Sequence, residues 1–278
     1  MTDAVGNDPG VAAFAVPSLA NLRDIGGSAS SFGGTIRTGV VFRSTDLSTV
    51  TDTDLDVLSE LKITTVFDLR TVDERDQAPD RLPPGAKGVD LDVLADKDEG
   101  SIAAAMGDIA ADPVQAARGF GGGRGEQFLL ETYRDLVTLS SAQRSYRTMY
   151  LDIAMGDVPA LIHCTTGKDR TGWAAAALLM FAGATEEDVF GDYMLTNELL
   201  LPKFEDMFVH FEKLGGDRSL LVPLLGVERK YLEAAVDEAL RLYGTIDEYF
   251  ASGLGLDDDS LQALRTRMID AENTPPVE

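Results

Sequence analysis

The chain holds one cysteine, set in the segment His163-Cys164-Thr165-Thr166-Gly167-Lys168-Asp169-Arg170-Thr171-Gly172. An apolar run, Pro159–His163, precedes it, and an Ala-rich apolar run, Thr171–Gly183, follows it. A loop that leads from a strand end into a helix N-terminus gathers backbone N–H groups into one concavity, and the positive helix end adds to their field. Thr165, Thr166, Gly167, Lys168, Asp169 and Arg170 are therefore expected to bind a phosphate dianion. The same field favours a thiolate, which makes Cys164 a nucleophile. Arg170 can curl back over the loop, and its planar fork can grip two phosphate oxygens. Gly167 supplies the backbone freedom that a tight loop needs. The Thr171 hydroxyl could donate to the sulfur, and His163 is expected to support the loop rather than to carry protons. A lone cysteine after an apolar strand is more often a small buried hydrophobe. The histidine, glycine and arginine at set positions around it turn the reading towards catalysis.

Short strands and helices must position this loop. Thr35–Phe42 and Ile63–Leu69 read as strands. Between them, Thr51-Asp52-Thr53-Asp54 opens a helix with Leu55, Leu58 and Leu61 at helical spacing. Further helical patterns run through Phe128–Val137, Tyr146–Ile153, the stretch opened by Thr185, residues 228–243 closed by Gly244, and Asp257–Met268. The order predicts an α/β fold: a central, mostly parallel sheet flanked by helices, with the cysteine loop at the carboxyl end of a strand. Residues 1–16 read as a flexible leader, 17–272 as a single domain and 273–278 as a flexible tail. Within the domain, the Ala-, Asp- and Gly-rich stretch 92–125 reads as a mobile insertion with a weak helix at 101–111. Leu200, Phe204, Met207, Phe208, Phe211 and Leu214 share one helical face. That face is either core packing or a lid formed by 198–226.

Composition narrows the partners. Of 278 residues, 24 are Lys or Arg and 47 are Asp or Glu, a formal charge of −23. Such a surface argues against nucleic acid and against anionic membrane. An anionic substrate must be drawn in by a local positive pocket. One cysteine excludes an intramolecular disulfide and a Cys-rich zinc site. No apolar run approaches the roughly 20 residues of a membrane span. Asp3 and Asp8 stand where a signal peptide carries Lys or Arg. The expected location is the cytoplasm, or outside the cell without a cleaved signal. Oligomeric state stays open.

The cysteine segment resembles the signature loop of the protein-tyrosine-phosphatase superfamily. It is closest to the bacterial "tyrosine phosphatase B" type, whose loop reads HCxxGKDRTG. Weaker patches extend the resemblance over about 17–270: Asn21–Gly27, Arg37–Ser44, Phe67–Arg70, Asp192–Asn197 and the Gly226–Tyr243 stretch. Thr165-Thr166 departs from the pattern, where smaller or apolar residues are common.

The resemblance implies a phosphotyrosine phosphatase II-like fold with a helical lid, and a two-step reaction without metal or cofactor. Cys164 attacks phosphorus, and water then hydrolyses the phosphocysteine. One residue acts as acid in the first step and as base in the second. Asp169, beside Arg170 as in some inositide-type relatives, is the first choice for it, and Asp68 at a predicted strand end is the second. Asp92, Asp96 and Asp98 in the insertion could supply a mobile acid. Lys168 suggests phosphoinositides as substrates besides phosphotyrosine, phosphoserine and phosphothreonine. Arg23, Arg43 and Arg70 either rim the pocket or form structural ion pairs. Two other classes stay open: a phosphate-binding module without turnover, and a sulfur- or arsenate-handling relative.

Overall fold

The structure, a computed structural model, describes residues 16, 18–97, 109 and 111–271. Its strands are β1 (Arg23–Asp24), β2 (Thr35–Ile36), β3 (Val41–Ser44), β4 (Thr65–Asp68), β5 (Lys87–Asp90), β6 (Ala160–His163) and β7 (Ile269–Asp270). The central sheet runs β1-β3-β6-β4-β5, and β2 pairs with β7 in a separate ribbon. The β3–β6, β6–β4 and β4–β5 pairs are parallel, and only β1 is antiparallel. Ser44 and Asp68 both stand in register with His163, so β3, β4 and β6 end together at the cysteine loop.

The expected strand at 35–42 is two strands. Gly39, at φ 72°, turns the chain between β2 and β3, and its amide donates to Asp24 Oδ2 at 2.5 Å. A left-handed turn of this kind suits glycine and breaks a ladder.

Alternation along the strands divides the core. Val41, Phe67 and Ile162 face the larger hydrophobic cluster, whereas Phe42, Val66 and Leu161 face the smaller one. That is the two-residue period of a pleated strand covered on both faces. Helix α1 (Asp52–Glu60), capped by Thr51 and Asp54, places Leu58 in the smaller cluster. The short helix α2 (Val72–Gln77) starts two residues after Arg70, with Thr71 and Glu74 forming its capping box. The larger cluster takes α3 (Pro113–Phe120), α4 (Arg124–Thr138), α5 (Ser140–Met155), α6 (Arg170–Phe181), α7 (Glu186–Leu200), α8 (Glu205–Lys213), α9 (Arg229–Tyr243) and α10 (Asp258–Met268). Every residue of α6 is buried except Met180, as its sequence, apolar throughout after Arg170 and Thr171, requires.

The stretch 199–214 is not one helix. A 3₁₀ turn, Leu201–Phe204, separates α7 from α8, because Pro202 cannot donate within a continuous helix. Of the expected insertion, 98–108 and 110 lie outside the described residues, as do most of the expected leader, the tail and the weak helix at 101–111. Val93, Leu94, Ile109 and Ala116 from that stretch belong to the larger core cluster. Among the described residues, no helix is long and apolar enough to cross a membrane.

Candidate active site

The sheet delivers Cys164 to the end of β6, buried and unbridged. From there the chain loops to Arg170, the first residue of α6. Outside donors hold the carbonyls of Thr165 and Gly167 in the loop and of Arg170 at its end. Gly167 O accepts from Asn21 Nδ2 at 2.9 Å and from Arg43 Nη2 at 2.8 Å. Thr165 O accepts from the Asp46 amide at 3.2 Å, and Arg170 O accepts from Tyr146 Oη at 3.1 Å. Among the described residues, no backbone amide from Thr165 to Arg170 donates to a protein acceptor. Buried amides are nearly always paired. A loop with bound carbonyls and unclaimed amides at a helix N-terminus is suited to an anion. Gly167 has φ 67°, and a Cβ there would stand 2.1 Å from Ser44 O, so both conformation and space demand glycine.

Arg170 lies under a carboxylate that sequence reasoning missed. Glu74 Oε2 accepts from Arg170 Nη1 at 2.7 Å, and Glu74 Oε1 accepts from Nη2 at 2.9 Å. Glu74 Oε1 also takes the Thr165 hydroxyl at 2.6 Å. Burial opposes the charged forms of both groups. Their mutual contact outweighs it, holding the Glu74 carboxyl well below the usual carboxylate range. Arg170 is held above its ordinary value by Cys164, Glu74 and Asp169 together. The signal was present as Thr71-x-x-Glu74, a capping box directly after the Asp68-Leu69-Arg70 strand end.

Arg23, Arg43 and Arg70 form buried ion pairs rather than a rim. Asp192 meets Arg23 Nε at 2.6 Å and Arg43 Nη1 at 2.5 Å. Burial and the neighbouring Arg43 pull Arg23 down to about 10, with Asp192 opposing them. Two arginines against one aspartate leave an excess positive charge behind the loop, in a chain whose net charge is −23.

Asp68 is engaged by Arg70, whose Nε donates at 2.9 Å and Nη2 at 2.7 Å. Asp80 meets Arg70 Nη2 at 2.8 Å and His163 Nε2 at 3.1 Å. Burial disfavours the His163 cation, but Asp80 and Asp68 raise its pKa above the ordinary value. His163 Nδ1 lies 3.1 Å from Cys164 O, so the histidine fixes the start of the loop. Asp68, Asp80 and His163 bring one ligand atom each within 4.8 Å of one another. The Arg70 guanidinium already sits between the two carboxylates, and its charge disfavours a metal cation there.

Asp169 stands at the mouth of α6. Its Oδ1 accepts from Tyr133 Oη at 3.0 Å and from Lys168 Nζ at 3.0 Å. Lys168 is thus turned onto its neighbour rather than towards a second phosphate. Asp92 and Asp96 serve other ends: they accept from the amides of Val72 and Leu94, and of Ser141. Asp98 lies outside the described residues. The Thr171 hydroxyl is buried with no hydrogen-bond partner among the described residues, so the expected donation to sulfur is not made here.

A cavity of about 360 Å³ adjoins the loop. Thr165 and Thr166 of the loop line it together with Asp46, Leu200, Lys203, Phe204 and Met207. Of the apolar stripe expected as core or lid, Phe208 and Phe211 are buried in the core, while Phe204 and Met207 pack against its edge and also line the loop cavity.

The chain is similar to several known proteins. A model of the tyrosine phosphatase family matches residues 14–270. The triple specificity protein phosphatase PtpB of Mycobacterium tuberculosis is 28% identical over 261 residues, covering 84% of this chain and 91% of that protein. A tyrosine-protein phosphatase of Nostoc commune is 29% identical over 236 residues, covering 81% of this chain and 73% of the relative. The crystal structure of P. aeruginosa TpbA aligns at 16% identity with a TM-score of 0.31, covering 78% of this chain and 98% of that one. With the matched region spanning nearly the whole sheet, the loop and the helices behind it, the chain belongs to the tyrosine phosphatase family and is a phosphatase.

Proposed function

We propose that the chain hydrolyses phosphotyrosine through a phosphocysteine on Cys164, without a metal. The observation that carries this reading is the pairing of Arg170 with Glu74 beside a loop whose Thr165 and Gly167 carbonyls are held from outside and whose amides are unclaimed among the described residues. In the first step the Cys164 thiolate attacks phosphorus. The S–P bond forms as the ester P–O bond breaks, and the leaving oxygen takes a proton from Asp169. In the second step water attacks phosphorus and gives its proton to the Asp169 carboxylate. Phosphate leaves, and the thiolate returns. The loop amides and Arg170 carry the charge that spreads over the equatorial oxygens.

Asp169 suits the acid role better than Asp68. Asp169 borders the loop with Oδ2 unengaged among the described residues, whereas Asp68 is bound by Arg70 through both oxygens. Arg170 already has its fork oriented by Glu74, so little rotamer freedom is lost on binding phosphate. The apolar side of the loop cavity, Leu200, Phe204 and Met207, suits an aromatic ring. It supports phosphotyrosine ahead of phosphoserine, phosphothreonine or an inositol ring. Helix α8 and the turn before it act as a lid that shields the thiolate from oxidants.

A para-nitrophenyl phosphate assay with excess chelator tests the reading. Wild type keeps its turnover, and Cys164→Ser and Arg170→Lys lose nearly all of it. Turnover by Cys164→Ser at the wild-type rate overturns it.

A further inference from the structure

We infer that Tyr133 and Tyr193 form a hydrogen-bond relay that positions Asp169 for proton transfer; this rests on the assignment of Asp169 as the acid. Tyr133 comes from the middle of α4, and Tyr193 from α7, the helix that leads into the lid. Both rings are fully buried. Their hydroxyl oxygens lie 2.6 Å apart, and Tyr133 donates its single proton to Asp169 Oδ1 at 3.0 Å. The direction of the chain is therefore fixed: Tyr193 donates to Tyr133, and Tyr133 donates to Asp169. The rings meet edge to face, with centroids 6.2 Å apart. Gly172 makes room for this arrangement, since a Cβ there would stand 3.2 Å from the Tyr193 ring. The glycine that closes the cysteine segment thus admits the distal tyrosine to the first turn of α6.

The chemistry explains why a phenol suits this place. The acid must be protonated in the first step and ionised in the second. Lys168 also donates to Oδ1. A neutral phenol donates to the carboxyl in either state. With Oδ1 taken by two donors, the exchangeable proton resides on Oδ2, which has no partner among the described residues. Burial raises both tyrosines well above their usual pKa, so each remains a donor throughout the cycle. Tyr133 and Tyr193 are positioning residues: neither borders the substrate, and each acts through Asp169.

The test compares kcat/KM for two aryl phosphates on the folded enzyme, because kcat/KM reads the first step, whereas the second step uses Asp169 for both substrates. Phenyl phosphate expels a basic oxygen that needs a proton, and 2,4-dinitrophenyl phosphate expels one that does not. Tyr133→Phe keeps the ring and removes one hydroxyl. It is expected to lower kcat/KM for phenyl phosphate by about tenfold, part of the 10²–10⁴ that a general acid supplies, and to leave that for dinitrophenyl phosphate within about twofold. Tyr193→Phe shows the same selectivity with a smaller loss. Asp169→Asn shows a larger selective loss, and adding Tyr133→Phe to it costs nothing more. If Asp169→Asn is selective but Tyr133→Phe is not, the relay is overturned and the acid assignment stands. If Tyr133→Phe lowers kcat/KM for both substrates equally, the tyrosine serves the loop as a whole and the relay is overturned. If Asp169→Asn is itself unselective, the acid assignment fails and the relay falls with it.

Discussion

Glu74 holds both terminal nitrogens of Arg170, at 2.7 and 2.9 Å, while the same carboxylate caps its own helix through the Thr71 amide at 2.9 Å. One side chain therefore joins the start of α2 to the start of α6 across the cysteine loop. A buried guanidinium deprived of its counter-charge is strongly destabilising. Glu74→Ala is expected to lower stability by about 3–5 kcal/mol. It should also reduce kcat/KM on the order of 10²-fold by misplacing the fork. Chemical denaturation and steady-state kinetics read the two effects separately, and unchanged kinetics would show that Arg170 does not depend on this contact.

The buried ion pairs set a pH window. Burial opposes the Asp80 charge, but His163 and Arg70 outweigh it and pull Asp80 down to about 2. Glu74 is depressed as well. Both folded values lie below the unfolded ones. The carboxylates therefore stabilise the fold above about pH 4 and lose that contribution as pH falls through the folded values. His163 is raised, so its share is complete below about pH 6.5 and is lost as pH rises through the raised folded value. A plot of Tm against pH should fall on the acid side and decline again on the alkaline side. Asp80→Asn should flatten the alkaline decline. An alkaline limb that survives in this variant belongs to another group.

Gly167→Ala tests the shape of the loop. Its Cβ would stand 2.1 Å from Ser44 O, which must move by roughly an ångström, and φ 67° adds strain. Activity should fall on the order of 10²-fold while the fold persists, because displacement of that size is enough to spoil alignment. Circular dichroism and phosphate-competition kinetics distinguish this result from unfolding. Near-normal activity would mean that the carbonyl anchored by Asn21 and Arg43 does not define the site.

Much of the site was legible because its chemistry is local. Cys164, Gly167 and Arg170 lie within one loop, and the runs on either side announce a strand and a helix. Glu74, Asp192, Tyr133 and Asp80 come from elsewhere in the chain. They reach the loop only because parallel strands end together and the helices fold back over them. A capping box marks Glu74 as a helix start, but nothing local says which guanidinium it will meet. The lid question had a similar cause. Periodicity placed Phe204 and Phe208 on one face; both meet the larger core cluster, and Phe204, in the turn that Pro202 opens, also lines the loop cavity.

Asp68→Asn separates scaffold from chemistry. Asp68 pairs with Arg70 through both oxygens, and Arg70 keeps Asp80 at 2.8 Å, so the variant should lose about 1.5–3 kcal/mol of stability. Its relative rates on good and poor leaving groups should match wild type at a temperature where it is folded. A selective loss on poor leaving groups would move the acid role from Asp169 to Asp68.

The most direct measurement is the covalent intermediate. Wild type is mixed with a radiolabelled phosphotyrosine peptide, quenched in acid within one turnover, digested and mapped by mass spectrometry. Phosphate is expected on the peptide that carries Cys164, bound through sulfur, and absent from Cys164→Ser. Phosphate on any other residue, or a Cys164→Ser enzyme that still turns over, would contradict a cysteine-centred reaction.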